Sequence, residues 1–496
     1  MSIKTSFLVK ASKIQAAGLL VTVASLTWSP FGTSVGVGLL ALSWIVALVT
    51  KTAAKPKNKI LPFGLIVGFV WCALGILWSS NIIEGLIVAK IKLPLLIVPL
   101  SLCFVPRDNS HDKLIASTFI VSTFTAAIVG IVWGKYVDAG NFSPFISHIR
   151  MGLILALGTG LLLLTNRWKF AALYIIVALV EVWHTRCVTG LGMIAFAILF
   201  GIANQCFPKY RTASIFSAFA SLILISIAAF FSMMPSDFEG QTPSKTPWGG
   251  IYTHYPEKHL EENGHKVWVN IASDEMRVEW NLRSSIPFDS LDATGHKIET
   301  TLIRYLTSKG KPKNGLEVKN LTSEEIEFVE AGHTSIRMST HSGLSLRIDD
   351  LKFEIGNYLD GGSPDGNSVT MRFESSKAAL HILKTKGPKV LLMGVGTGDI
   401  YDSLNNAYLE TESRLSEKFW KRTHNQYLAW WVGCGFVGLA LWFLALYGSW
   451  NNPGAISRLA WWIVAISCIA EDTLETQVGV TFAVLALVVF NHTVKK

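Results

Sequence analysis

The chain has 496 residues, half of them hydrophobic and only 16% charged, with a formal net charge of +9. The excess is unevenly placed: residues 236–422 carry 23 Lys and Arg against 27 Asp and Glu, a balance of −4, and the rest of the chain stands at +13. This argues against nucleic acid as a partner, because the basic surplus belongs to the apolar part of the chain. All six cysteines lie in or beside apolar runs, and no CxxC, HExxH or zinc-ligand spacing is present.

Taken in chain order, Lys4, Lys10 and Lys13 precede a first apolar run with no small-residue cleavage site behind it, which reads as an uncleaved span. Apolar runs then fall at about 13–28, 33–50, 60–78, 85–104, 114–134, 149–165, 170–184, 187–206 and 212–232. They return at about 425–448, 457–470 and 476–494. A helix crosses a bilayer with roughly 17–25 mostly apolar residues, and in lipid its backbone satisfies itself. The expectation is an all-α polytopic membrane protein of about twelve transmembrane helices. Residues 1–232 hold spans one to nine, 233–423 form a large hydrophilic cap, and 424–496 hold spans ten to twelve. Lys and Arg gather in alternate loops: the N-terminus, Lys51 to Lys59, Arg107 with Lys113, Arg167 with Lys169, Lys209 with Arg211, Arg458, and Lys495 with Lys496. By the positive-inside rule these face the cytoplasm, which puts both termini inside and the cap outside.

The cap is too long for a single loop, and its pattern predicts a mostly helical unit. Ser323 to Val329 reads as a helix start with a serine cap and early acids. Thr370 to Lys384 is amphipathic, and Asp402 to Phe419 predicts a third helix. Gly361 to Gly366 is a turn. Trp268 to Trp280 fits an extended or a helical conformation. Val390 to Asp399, with Gly394, Gly396 and Gly398, has the look of a strand followed by a glycine-rich turn. The motif is weak for a cofactor loop, since no strand–helix alternation follows it. Two readings stand beside that one: a tight turn, or backbone N–H groups holding a phosphate or sugar.

The predicted orientation gathers polar side chains at one membrane face: His148 and Arg150, His184 and Arg186, His424 and Asn425, and the acidic loop Glu471, Asp472 and Glu475. Charges at span ends meet water, a partner or a ligand, so each has both a headgroup-zone reading and a binding-site reading. Lys92 lies within the fourth span and either snorkels to the interface or contributes a cation to that face.

The most specific motif is Thr423-His424-Asn425-Gln426-Tyr427-Leu428, running into a span with Gly433, Gly435 and Gly438. A hydrophilic segment ending in His-Asn-x-Tyr-Leu before a glycine-containing span resembles the O-antigen ligase and polymerase superfamily. Arg372 ahead of Gly394-Val395-Gly396-Thr397-Gly398 is similar to that family's arginine and glycine-loop pattern. Thr185-Arg186-Cys187-Val188-Thr189-Gly190 resembles its Ser-Arg-x-Gly span start, with Thr185 in place of Ser and a late Gly190. Glu471 to Val480, Trp280 to Ser285 and Thr301 to Gly310 resemble O-antigen ligase-like proteins of Bacteroidetes type.

The resemblance implies a GT-C-like glycosyltransferase of the bacterial inner membrane with a periplasmic cap. Its donor would be an undecaprenyl-diphosphate-linked glycan, and its acceptor lipid A-core, another glycan or a protein hydroxyl. Membrane lipids would be its other partners, with no metal or cofactor. Departure of a lipid diphosphate builds negative charge, which arginine's permanently charged, bidentate fork suits. Arg186 and Arg372 are the candidate pair, with Arg150 and Lys92 next. His424 suits a general base toward the acceptor hydroxyl, against a purely structural role at the helix start. Asn425 would orient His424 or the substrate. Glu471 and Asp472 would support an arginine or replace the base, and Gly396 and Gly398 would line the substrate. Ligase, polymerase and protein oligosaccharyltransferase remain open. A polysaccharide or lipid transporter fits the span count, and a membrane sensor fits the hydrophilic segment, but neither accounts for arginines and a histidine drawn from separate spans.

Overall fold

A computed structural model describes residues 3–206 except 57 and 139, and 242–489 except 341–343, 421 and 453; between them, only 220, 223, 234 and 240 are described. The chain divides into two compact units, one formed by 1–224 with 372–496 and the other by 225–371. The hydrophilic segment expected as one cap is thus shared between them, with the division at Arg372.

The larger unit opens with α1 (Ile3–Ser25), α2 (Pro30–Val49) and α3 (Ile60–Leu74), the last continued by a 3₁₀ turn over Gly75–Trp78. It goes on with α4 (Ile82–Lys92), α5 (Pro94–Phe104), α6 (Asp112–Tyr136), α7 (His148–Leu164), α8 (Trp168–His184) and α9 (Val188–Cys206). Helix therefore occupies each of the first eight expected spans; the ninth, 212–232, lies outside the described residues apart from 220 and 223. The fourth is broken at Leu93, where Pro94 removes a backbone donor and restarts the helix as α5. Among the described residues, six helices are long and apolar enough to cross a membrane: Pro30–Val49, Ile60–Trp78, Ile82–Phe104, Asn109–Tyr136, Val188–Cys206 and Gln426–Trp450. Three more apolar helices, His148–Leu164, Ala455–Ala470 and Gln477–Val488, are shorter. His148–Leu164 and Gln477–Val488 are buried nearly all round, the mark of a helix enclosed by other helices.

The smaller unit is helical, as its pattern predicts, around one short hairpin. Strands β1 (Glu261–Glu262) and β2 (His265–Lys266) pair antiparallel across Asn263 and Gly264, both at positive φ, the Asn-Gly turn that favours tight hairpins. Then come α10 (Ser273–Arg283), α11 (Ile298–Ser308), α12 (Gly315–Lys319), α13 (Ser323–Glu330), α14 (Arg337–Thr340) and α15 (Leu344–Leu359). Trp280, Phe288, Leu302, Leu306, Val318 and Val329 form its core, and the Trp280 indole donates to Ile286 O at 2.8 Å. Thr322, rather than Ser323, caps α13, completing a capping box with Glu325. The undecided Trp268–Trp280 stretch is irregular until α10 begins at Ser273.

The remaining elements return to the larger unit: α16 (Ser368–Thr385), whose first residues precede the division, α17 (Gly387–Met393), α18 (Ile400–Glu410), α19 (Gln426–Trp450), α20 (Ala455–Ala470) and α21 (Gln477–Val488). The run Val390–Met393 is helical, contrary to the strand its composition predicts, because a short apolar run carries no period that separates the two. Within α19 the backbone kinks at Gly435, φ +67°. The kink takes Val432, Gly433 and Cys434 carbonyls out of the helical ladder, and other parts of the chain satisfy them. Val395 N–H donates to Val432 O at 2.8 Å, Gly396 N–H to Gly433 O at 3.3 Å, and the Trp71 indole to Cys434 O at 2.7 Å.

Candidate active site

The site is built where α16, the 411–425 connection, α19 and the 471–476 turn converge. Its centre is the acidic turn between α20 and α21. Glu471 Oε1 takes a bond from Arg372 Nη2 at 2.7 Å. Asp472 accepts from Thr423 Oγ1 at 2.9 Å and from the His424 backbone N–H at 3.0 Å. Glu475 accepts from Lys92 Nζ at 2.9 Å and from Gln426 Nε2 at 2.9 Å. Three carboxylates from one short turn thus bind three separate parts of the chain.

His424 is half-buried and sits in the left-handed region at φ +52°, uncommon for a residue with a side chain. Asp472 holds that turn through the His424 N–H. Asn425 caps α19, its Oδ1 accepting from Leu428 N–H at 3.0 Å, and its Nδ2 donates to Ile469 O at 3.2 Å. Both ends of its amide therefore serve the junction of α19 with α20.

Arg150, at the start of α7, is half-buried; its Nε lacks a hydrogen-bond partner, and it lies within electrostatic reach of Glu471, Asp472 and Arg422. Arg186 is exposed just after α8, again at positive φ, +53°. The adjoining Cys187 feels the charges of Glu471 and Arg372, so the α8–α9 junction borders the Arg372–Glu471 pair.

Arg422 was not singled out by its sequence context. Its Nε donates to Tyr401 OH at 2.9 Å. Burial works against its cation, but Tyr401, Glu475 and Asp472 more than offset this and raise its pKa. Its place two residues before His424 is the signal that would have found it. Val88, Tyr401, Leu404, Arg422, Thr423 and Glu475 contribute to the wall of a cavity of about 20 Å³, enough for about one water.

Three candidates change character. Lys92 does not snorkel; it is 1% exposed and paired with Glu475. Gly396 and Gly398 do not present free N–H groups to an anion: Gly396 N–H is bonded to Gly433 O, and Gly398 N–H donates to Ser79 Oγ at 2.9 Å. Asp399, next in line, accepts from Ser80 N–H at 2.8 Å and Asn81 N–H at 2.9 Å. The glycine segment is a packing device, since a Cβ at Gly398 would collide with Asn81 backbone.

The acidic turn sets its own electrostatics. Burial raises the Asp472 pKa to about 6, and the neighbouring Glu475 and Glu471 charges add to the rise, although the Thr423 and His424 bonds oppose it. At Glu475 burial pushes upward too, but Lys92 and Gln426 overcome it and leave the carboxyl below its ordinary value.

Apolar helices around a polar cluster of arginines, carboxylates and a histidine define an integral membrane protein. Residues 318–443 match the family model of the O-antigen ligase domain (Wzy_C), a stretch that holds Arg372, the glycine segment, Arg422, His424 and the kink of α19. The match supports an O-antigen ligase-like family for this chain, and with it a membrane glycan-transfer function of the ligase type. No curated protein and no solved structure matches the chain.

Proposed function

We propose that this protein transfers a glycan from undecaprenyl diphosphate to an acceptor hydroxyl at the outer leaflet of the bacterial inner membrane, with lipid A-core as the acceptor. The observation that carries the reading is the gathering of Arg150, Arg372 and Arg422 around Glu471 and Asp472, with His424 fixed to the same turn. The acceptor oxygen attacks the anomeric carbon as the bond from that carbon to the phosphate oxygen breaks. The acceptor proton passes to the His424 imidazole, and the electron pair leaves with the lipid diphosphate. The arginines stabilise the charge that grows on the leaving group, so a single displacement with inversion needs no metal ion in this scheme.

The deciding experiment is deletion of the gene followed by glycan analysis. Uncapped lipid A-core with accumulated long lipid-linked glycan is the expected result. Single-repeat chains would replace the ligase by a polymerase, and unmodified glycoproteins by a protein oligosaccharyltransferase. Loss of lipid-linked glycan from the outer leaflet would point to a transporter.

A further inference from the structure

A lysine buried within an apolar helix needs a reason, because an ionisable group there is costly unless it is paired. Lys92 closes α4, directly before the break at Leu93 and Pro94. Its ammonium is bonded to both oxygens of Glu475, at 2.9 and 3.1 Å, and lies 5.9 Å from the Trp430 ring centroid. Glu475 also accepts from Gln426 Nε2, and Gln426 Oε1 accepts from Leu474 N–H at 2.5 Å. Gln426 is fully buried in the first turn of α19.

Four groups from α4, α19 and the acidic turn are thus tied in one knot. Three residues upstream of Glu475, Asp472 holds Thr423 and His424; one further, Glu471 holds Arg372. Fixing Glu475 therefore fixes where the other two carboxylates point. Two of the three ammonium hydrogens of Lys92 are directed at the Glu475 carboxylate, and the side chain is enclosed at 1% exposure, which keeps it from a substrate.

We propose that Lys92 and Glu475 are positioning residues: their buried ion pair anchors the 471–475 turn, so that Glu471 and Asp472 present Arg372 and His424 to the substrate, and Lys92 does not itself bind the donor diphosphate. The proposal rests on the transfer function put forward above. It makes the two residues act as a unit. Breaking the pair from one side leaves an uncompensated buried charge, whereas removing both charges leaves two neutral groups of similar shape.

The test is the set Lys92→Met, Glu475→Gln and the double variant, assayed in detergent or nanodiscs with undecaprenyl-diphosphate-linked glycan as donor. Each single variant is expected to lower kcat by about 30-fold or more, leave the donor KM within about threefold, and melt below wild type. The double variant is expected to recover most of the melting temperature and to transfer faster than either single. Single-variant losses that multiply in the double, or a donor KM that rises tenfold in Lys92→Met with unchanged melting, would overturn the proposal and make Lys92 a donor ligand. A wild type that transfers nothing would sink the functional reading instead; the recovery of melting in the double variant would still decide whether the pair anchors the turn.

Discussion

The guanidinium of Arg372, in the first turns of α16, meets the carboxylate of Glu471 at 2.7 Å, joining the end of the hydrophilic segment to the turn between the last two helices. The arginine side chain is 30% exposed and the carboxylate 15%. A pair this accessible contributes little to stability.

Arg372→Ala should therefore separate activity from folding. Transfer should fall by about 10²–10³-fold, the loss typical of a missing transition-state donor, with the melting temperature little changed. Arg372→Lys keeps the charge but loses the planar fork, and should recover only a minor part. A lipid-linked donor assay paired with a thermal melt checks both.

At His424, the backbone and the side chain make separable demands. His424→Ala removes the imidazole and leaves a Cβ at φ +52°; His424→Gly removes the imidazole and relaxes the backbone. Both should be inactive, with the glycine variant at least as heat-stable as the alanine variant. Added imidazole should restore measurable transfer to His424→Gly, and failure of both variants to lose activity would remove His424 as the base.

Asp472 supplies a pH signature in stability. Its carboxyl is raised to about 6 in the folded protein, chiefly by burial, above the ordinary value near 3.8. The folded state therefore holds this proton more tightly than the unfolded chain. The stabilisation that follows is complete below the unfolded value and is lost as pH rises through about 6. The melting temperature of wild type relative to Asp472→Asn should accordingly fall between pH about 4 and about 6 and level off above it. A flat difference across that window would contradict the burial of the carboxyl.

Gly394 and Gly435 face each other across the α17–α19 contact, at φ +81° and +67°. A Cβ on Gly394 would meet the Gly433 carbonyl, and one on Gly435 the Leu392 carbonyl. Alanine at either position combines a disfavoured backbone region with a backbone clash. Each should cost several kcal/mol, on the scale of the large single-site losses. Little folded protein should then be recovered by size-exclusion chromatography of detergent extracts.

Much of the helical plan was legible because an apolar run long enough to span lipid leaves few alternatives, and helices are found at each expected span that falls among the described residues. The hydrophobic period also revealed the helix around Thr370–Lys384. What was not legible depends on contacts distant in sequence. Nothing local to Lys92 announces that a carboxylate 383 residues away will pair with it. The glycines of 394–398 look alike whether their N–H groups face a phosphate or other parts of the chain, and only the kink at Gly435 and the Ser79 hydroxyl decide the matter. Arg422 belongs to none of the motifs that mark the other residues, and only its place two residues before His424 points to it. The motif residues Arg372 and His424 stood out, and the structure brings both to the 471–472 turn. Asn425 stood out equally, and proves to be the cap that starts α19.

The broken ladder at Gly435 also bears on how the chain is made. At the kink, three carbonyls of α19 accept from the Val395 and Gly396 N–H groups and from the Trp71 indole, two donors from the glycine segment after α17 and one from α3. A peptide inserted into lipid with those acceptors bare would be penalised by several kcal/mol for each one. Helix α19 thus inserts either straight, bending later, or with the glycine segment already against it. In either case, shortening or replacing residues 390–398 is expected to interfere with assembly of the membrane helices before it has any bearing on chemistry.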